Sequence, residues 1–339
     1  MNSSILLTLL MLGIIIMIHE LGHFLAARMF KIPVSEFALG MGPKLITYHG
    51  KETDYAIRAI PMGGFVNIEG MEIDSTQKNG FNAKKPWQRF IVLFAGVFMN
   101  FILAFFIVLM SNFLQGNSQI SDKAVIGEVI KGTNAEKVLI AGDKIIEIEG
   151  TKVSKWNEIS QVIKASDKKE ISVKILRNEK EIDEKIKLTY LEKEKMHIIG
   201  IRPSIITKKY GLVEGFKVSL IDYKNLFKAI LDGFKMLFTG KVKMNDMTGT
   251  VGLVQVVSDV GQNSVGFVIW LTALLSINVG LFNLLPFPAL DGGRIIFVLL
   301  EMIGIKINKK IEEKLHLVGI VILVALFVLI TFNDIRKFF

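Results

Sequence analysis

Four stretches of this chain are each long and apolar enough to cross a lipid bilayer: residues 5–30, 90–114, 265–285 and 315–332. A hydrocarbon core ~30 Å thick needs ~20 residues of helix to span it. Inside it every backbone N–H and C=O must be satisfied within the segment, so such runs fold as helices. The composition agrees, with 51% hydrophobic residues and a mean hydropathy of +0.45 over 339 residues. Residues 115–263 are polar by contrast and read as an inserted globular module. The fold class expected is an α-helical polytopic membrane protein of about four transmembrane helices, carrying a membrane-associated β-hairpin region and an extracytoplasmic β-rich insert. The first run has no basic leader and no A-x-A-like site after it, so it reads as a span rather than a cleaved signal peptide.

Within that first run lies His19-Glu20-Leu21-Gly22-His23, the pattern H-E-x-x-H. Residues four apart share a helix face, so His19 and His23 can address one metal ion. Glu20 lies one residue round, placed to take a proton from an activated water. Ionisable groups at membrane depth are expensive and mark functional sites. The chain has no cysteine, which excludes disulfides, thiolate nucleophiles and Cys-type zinc sites. Any metal must therefore be held by His and carboxylates.

Two histidines do not complete a catalytic zinc site, which takes three protein ligands and one open position. The candidate for the third is Asp291, in the run Asn283-Leu284-Leu285-Pro286-Phe287-Pro288-Ala289-Leu290-Asp291-Gly292-Gly293. Its two prolines break the third span, and a carboxylate behind the break needs a cation beside it. Asn283, neutral and polar in the same segment, suits a peptide backbone or an oxyanion. His49, His197 and His316 fit no such constellation. Gly22 reads as a close-approach residue and Asp143 as a turn residue.

Between the first two runs, residues 54–60 alternate as a short strand, broken by Pro61-Met62-Gly63-Gly64, with a second breaker cluster at Gly40-Met41-Gly42-Pro43. The formal net charge is +9. No aromatic-interleaved basic patch stands out, so this charge reads as membrane topology and solvated surface, with no nucleic-acid partner. Lys84, Lys85 and Arg89 around Pro86-Trp87 mark a cytoplasmic side, as do Lys306, Lys309, Lys310 and Lys314; Arg336 and Lys337 oppose this orientation weakly. The motif then lies near the cytoplasmic end of the first span and the insert is extracytoplasmic. In the insert, 125–130, 144–149, 171–176 and 182–190 read as strands and 156–165 as an amphipathic helix. Residues 215–240 are also amphipathic and read as an interfacial helix, with packing against the β-rich insert as the alternative.

The run Asn134-Ala135-Glu136-Lys137 with Ala141-Gly142-Asp143-Lys144-Ile145-Ile146-Glu147-Ile148-Glu149-Gly150 resembles a PDZ domain signature. Such domains take extended peptides by strand addition, and the alternative of a pure size gate stands beside it. With H-E-L-G-H and N-x-x-P-x-P-x-L-D-G flanking such an insert, the whole chain resembles the site-2 protease family, and within it the bacterial regulator-of-sigma-E-type intramembrane zinc metalloproteases. The resemblance implies that His19, His23 and Asp291 bind Zn2+, that Glu20 is the catalytic base and that Asn283 assists substrate positioning. Gly96-x-x-x-Asn100 also resembles a family motif, with Gly96 allowing close helix approach and Asn100 either contacting substrate or making an interhelical hydrogen bond. The best-studied members carry two tandem PDZ domains, whereas this insert has room for one.

The resulting division is a first transmembrane helix at 1–30, a membrane-associated β/loop region at 31–86, a second helix at 87–114, a PDZ-like domain at 115–204, an amphipathic region at 205–262, a third helix at 263–304 and a fourth helix with tail at 305–339. The implied function is hydrolysis of peptide bonds within transmembrane segments of single-span membrane proteins, such as anti-sigma factors or remnant signal peptides, after prior trimming, in the bacterial cytoplasmic (inner) membrane. Two rivals are a non-catalytic PDZ membrane adaptor and a metal transporter using His and Asp in its spans.

Overall fold

α1 (Asn2–Met29) carries the motif and stops where Lys31 takes a positive φ of 55° ahead of Pro33. The structure, a computed structural model, describes residues 2–72, 75, 77–114, 116–165, 169–191, 196–242, 248–259, 265–305 and 307–338. β1 (Val34–His49) and β2 (Asp54–Ile68) follow, then α2 (Pro86–Leu114), which Pro86 opens at a position needing no N–H. The middle of the chain holds β3 (Asn117–Ile120), β4 (Ile126–Val129), β5 (Lys144–Ile148), β6 (Thr151–Lys152), α3 (Trp156–Ala165), β7 (Glu170–Arg177), β8 (Lys180–Lys187), β9 (Thr189–Leu191), β10 (Met196–Ile198), β11 (Ile201–Pro203) and β12 (Ile205–Lys208). The last part is helical: α4 (Leu212–Phe238), α5 (Thr250–Asp259), α6 (Val265–Leu284), α7 (Asp291–Met302) and α8 (Lys309–Phe338).

Two units emerge, one formed by Met1–Leu114 with Gly211–Phe339 and the other by Gln115–Tyr210. In the first, four helices are long and apolar enough to cross a membrane: Ser3–Met29, Pro86–Leu114, Val265–Leu284 and Lys310–Lys337. Large apolar side chains on α8, among them Leu317, Val321 and Phe327, stay exposed as a lipid-facing helix requires. α1 crosses α2 at Gly22 and Gly96. A Cβ on Gly22 would collide with the Ala95 carbonyl, and one on Gly96 with the His23 imidazole. Below the crossing, Ala27, Ile32, Val34, Val92, Leu93 and Ile295 join α1, the β region, α2 and α7 in one apolar core.

Between α6 and α7 the chain breaks at the two prolines. α6 ends at Leu284, Pro286 and Pro288 supply no N–H to continue it, Ala289 takes a φ of 80°, and α7 begins at Asp291. The hairpin departs from expectation, because neither glycine cluster ends a strand. Gly40, Gly42 and Gly63 adopt positive φ (89°, 83° and 81°) and bend the strands instead. Phe37 consequently pairs with Val66 on one side and Tyr55 on the other, and Tyr48 pairs with Tyr55, so two long strands form a sheet of four segments. Arg58 and Lys44 both bind Glu36, at 2.7 and 2.9 Å, across the bend. Burial pushes the Glu36 carboxyl up, and the hydrogen bonds from Lys44 and Arg58 outweigh it and hold it below the usual carboxylate range.

The apolar face of α4 packs along α2 and α6 through Tyr223, Phe227, Ile230 and Phe234. Asn112 of α2 donates to Ser219 Oγ at 3.1 Å and to Asp222 Oδ2 at 2.9 Å. α5 is fastened to α8 by Asp334, whose Oδ2 accepts from the N–H groups of Gly249 and Gly252 at 2.9 and 2.8 Å. Lys306 of the second basic cluster lies outside the described residues.

The unit Gln115–Tyr210 is β-rich. A four-stranded antiparallel sheet in the order β6-β5-β7-β8 packs with α3 around Ile145, Ile148, Ile159, Ile171, Val173 and Ile175. Asp143 is a turn residue, accepting from the Ile140 N–H at 3.0 Å and from the Arg177 guanidinium at 2.6 Å. The unit runs past the expected boundary at 204, because β12 pairs with β3, Ile205 opposite Ile120.

Candidate active site

One helical turn separates His19 from His23, and the break after α6 delivers Asp291 to both. His19 Nε2 lies 3.0 Å from Asp291 Oδ2, His23 Nε2 lies 3.3 Å from the same oxygen, and the two Nε2 atoms are 3.2 Å apart. Both histidines are buried, at 6% and 5% exposure. A zinc ion with ligands at ~2.0–2.2 Å in tetrahedral array sets its donors ~3.3 Å apart, so the triangle suits that ion. Among the described residues it is the one group of three or more His, Cys, Asp or Glu side chains arranged to hold a metal.

The histidines are oriented from behind. His23 Nδ1 donates to the Val92 carbonyl at 2.8 Å, which leaves its Nε2 lone pair facing the triangle. His19 Nδ1 faces the Asn100 amide at 3.3 Å, with Asn100 fully buried and its Oδ1 without a partner. The two ends of an amide are interchangeable in such an assignment. Turned over, Asn100 presents Oδ1 to His19 Nδ1–H, which is the tautomer that frees His19 Nε2 for a metal. The orphaned oxygen is thus accounted for by a donor set built for a cation.

Glu20 accepts from the Val66 N–H at 3.1 Å through Oε2. Val66 belongs to the 64–68 segment of the four-segment sheet, so the β region sets this carboxylate beside the histidines. Glu20, His19, His23, Asp291 and Asn283 all line one cavity of about 290 Å³. Asn100 does not. It is buried behind His19, with its side-chain amide reaching across from α2 to α1 and its backbone carbonyl accepting from Ser276 Oγ of α6 at 2.8 Å. His49 pairs with Asp54 on an exposed hairpin end, and His316 lines a separate small cavity with Arg294 and Glu312. Val66 and Val92 act through backbone atoms, so no side-chain pattern could have disclosed them.

Residues 7–326 match peptidase family M50. The chain belongs to peptidase family M50. Two relatives are each named "Putative zinc metalloprotease". FN1322 of Fusobacterium nucleatum is 46% identical over 99% of both chains. CA_C1796 of Clostridium acetobutylicum is 35% identical over 98% of this chain and 97% of its own. Regulator of sigma-W protease RasP of Bacillus subtilis is 27% identical over 99% of both chains. A solved PDZ domain of an SdrC-like protein from Listeria monocytogenes is 27% identical, covering 25% of this chain and 90% of its own with a TM-score of 0.23. This M50 peptidase is an integral membrane zinc metalloprotease.

Proposed function

We propose that this peptidase hydrolyses peptide bonds within the transmembrane segments of single-span membrane proteins, with His19, His23 and Asp291 as zinc ligands and Glu20 as general base. The observation that carries the reading is the convergence of three donor atoms, two on buried histidines of a helix long and apolar enough to cross a membrane and one on the partly buried Asp291, 272 residues after His19 in sequence. Zinc held there supplies Lewis acidity to the scissile carbonyl and to the attacking water. Glu20 takes a proton from that water as its oxygen bonds to the carbonyl carbon, and then delivers it to the amide nitrogen so that the C–N bond breaks and the amine leaves. Val66 N–H keeps the Glu20 carboxylate beside the cavity, and Asn283, which lines the same cavity, holds the substrate backbone. A helical substrate hides its peptide bonds and must unwind, and the 64–68 segment beside the cavity suits an added strand.

The basic residues flanking α2 and preceding α8 favour a cytoplasmic active site and an extracytoplasmic, PDZ-like insert in the bacterial inner membrane. The insert then excludes substrates with large outer portions, so prior trimming is required, and anti-sigma factors and remnant signal peptides are fitting substrate classes. The test uses the full chain and a single-span substrate in liposomes, with cut sites mapped by mass spectrometry. Cleavage inside the apolar segment, abolished in Glu20→Gln, is expected. Cuts confined to flanking loops would refute the reading, and equal rates for intact and trimmed substrates would refute the gating step.

A further inference from the structure

Contacts fix α4 lengthwise against two spans. Gly215 lies under the Phe113 ring, Ser219 meets Asn112 at 3.1 Å, and Tyr223 packs edge-on to Phe105 at 5.5 Å. Phe227 packs on Phe101 at 5.4 Å and Phe234 on Phe282 at 5.1 Å. Residues 215–234 therefore descend α2 from its far end to the level of Asn100, where Ser276 fixes α6 alongside. Both neighbours are long and apolar enough to cross the bilayer, whereas α4 does not qualify as a span. Lys217, Lys224, Lys228 and Lys235, spaced seven, four and seven apart, share the helix face opposite Gly215, Ser219 and Ile230, and all four are exposed. At 1.5 Å per residue this stripe covers ~27 Å, nearly the hydrocarbon thickness.

Four ammonium groups cannot be left against hydrocarbon over that length. Leu220, Ile221 and Leu231 are exposed beside them, at 52%, 58% and 45%. Ammonium groups for a phosphate next to apolar side chains for acyl chains are the two halves of phospholipid recognition, and an acidic soluble partner would have no use for the second. We propose that the outward face of α4 binds anionic phospholipid, whose headgroups are drawn down along the lysine stripe where the bilayer is thinned beside α2 and α6.

Because the chain lacks cysteine, single replacements report cleanly. In nanodiscs containing phosphatidylglycerol, Lys224→Cys should react with a membrane-impermeant maleimide about as fast as Asn178→Cys in an exposed turn. It should react far faster than Phe106→Cys, an exposed α2 position at similar depth. Native mass spectrometry of the full chain should show phosphatidylglycerol retained over phosphatidylcholine, with retention falling about five-fold per lysine changed to glutamine and preserved in the Lys→Arg variants. Labelling at Lys224→Cys no faster than at Phe106→Cys overturns the proposal. So does equal retention of the two lipids, or phosphatidylglycerol retention unchanged in Lys224→Gln, which replaces an exposed side chain.

Discussion

The absence of a side chain at Gly96 makes room for the His23 ring. A methyl group there would overlap the imidazole itself, so Gly96→Ala must displace a ligand rather than merely loosen two helices. We predict that Gly96→Ala lowers zinc affinity at least ~10-fold, judged by chelator competition, with secondary structure retained by circular dichroism. Asn100 acts one atom further out. Asn100→Leu removes the acceptor facing His19 Nδ1 and should weaken zinc binding by ~10–100-fold, while Asn100→Asp, which keeps an oxygen there, should hold it near the parent value. Parent-like affinity in Asn100→Leu would remove Asn100 from the site. The spacing of His19, Glu20 and His23 on one helix is legible in the sequence, and Asp291 is singled out there by the proline break ahead of it. The place of Asn100 behind His19 is not legible there, since it depends on which face of α2 meets α1.

Among the elements, the departures from sequence expectation share one cause, which is that local signals do not know their neighbours. Glycines at Gly40, Gly42 and Gly63 read as strand ends, yet a positive φ allows a bend inside a continuing ladder, and only pairing on both sides of 36–39 distinguishes the two. The α4 pattern reads as interfacial because its two faces are evident, whereas the surface that receives the apolar one is not. Asn112 is the polar fastening of that contact. Its loss in Asn112→Leu takes two hydrogen bonds from Ser219 and Asp222, and should cost about 1–3 kcal/mol of stability. Thermal unfolding in detergent measures it, and an unchanged midpoint would show that α4 is held by its aromatic contacts alone.

For the whole molecule, the two units divide the labour by composition. The unit Gln115–Tyr210 has its own isoleucine-rich core, so it should fold alone, with cooperative urea unfolding at a slope near ~1 kcal/mol/M that a chelator leaves unchanged. A non-cooperative transition would mean that it depends on the membrane unit. The membrane unit carries all the groups assigned to chemistry, contributed by α1, the sheet, α2, α6 and α7. The most direct measurement is zinc content of the purified full chain and four variants, by inductively coupled plasma mass spectrometry after gel filtration. The account predicts about one zinc per chain in the parent and in Glu20→Gln, and none in His19→Ala, His23→Ala or Asp291→Ala. A full equivalent of zinc retained by Asp291→Ala would contradict it.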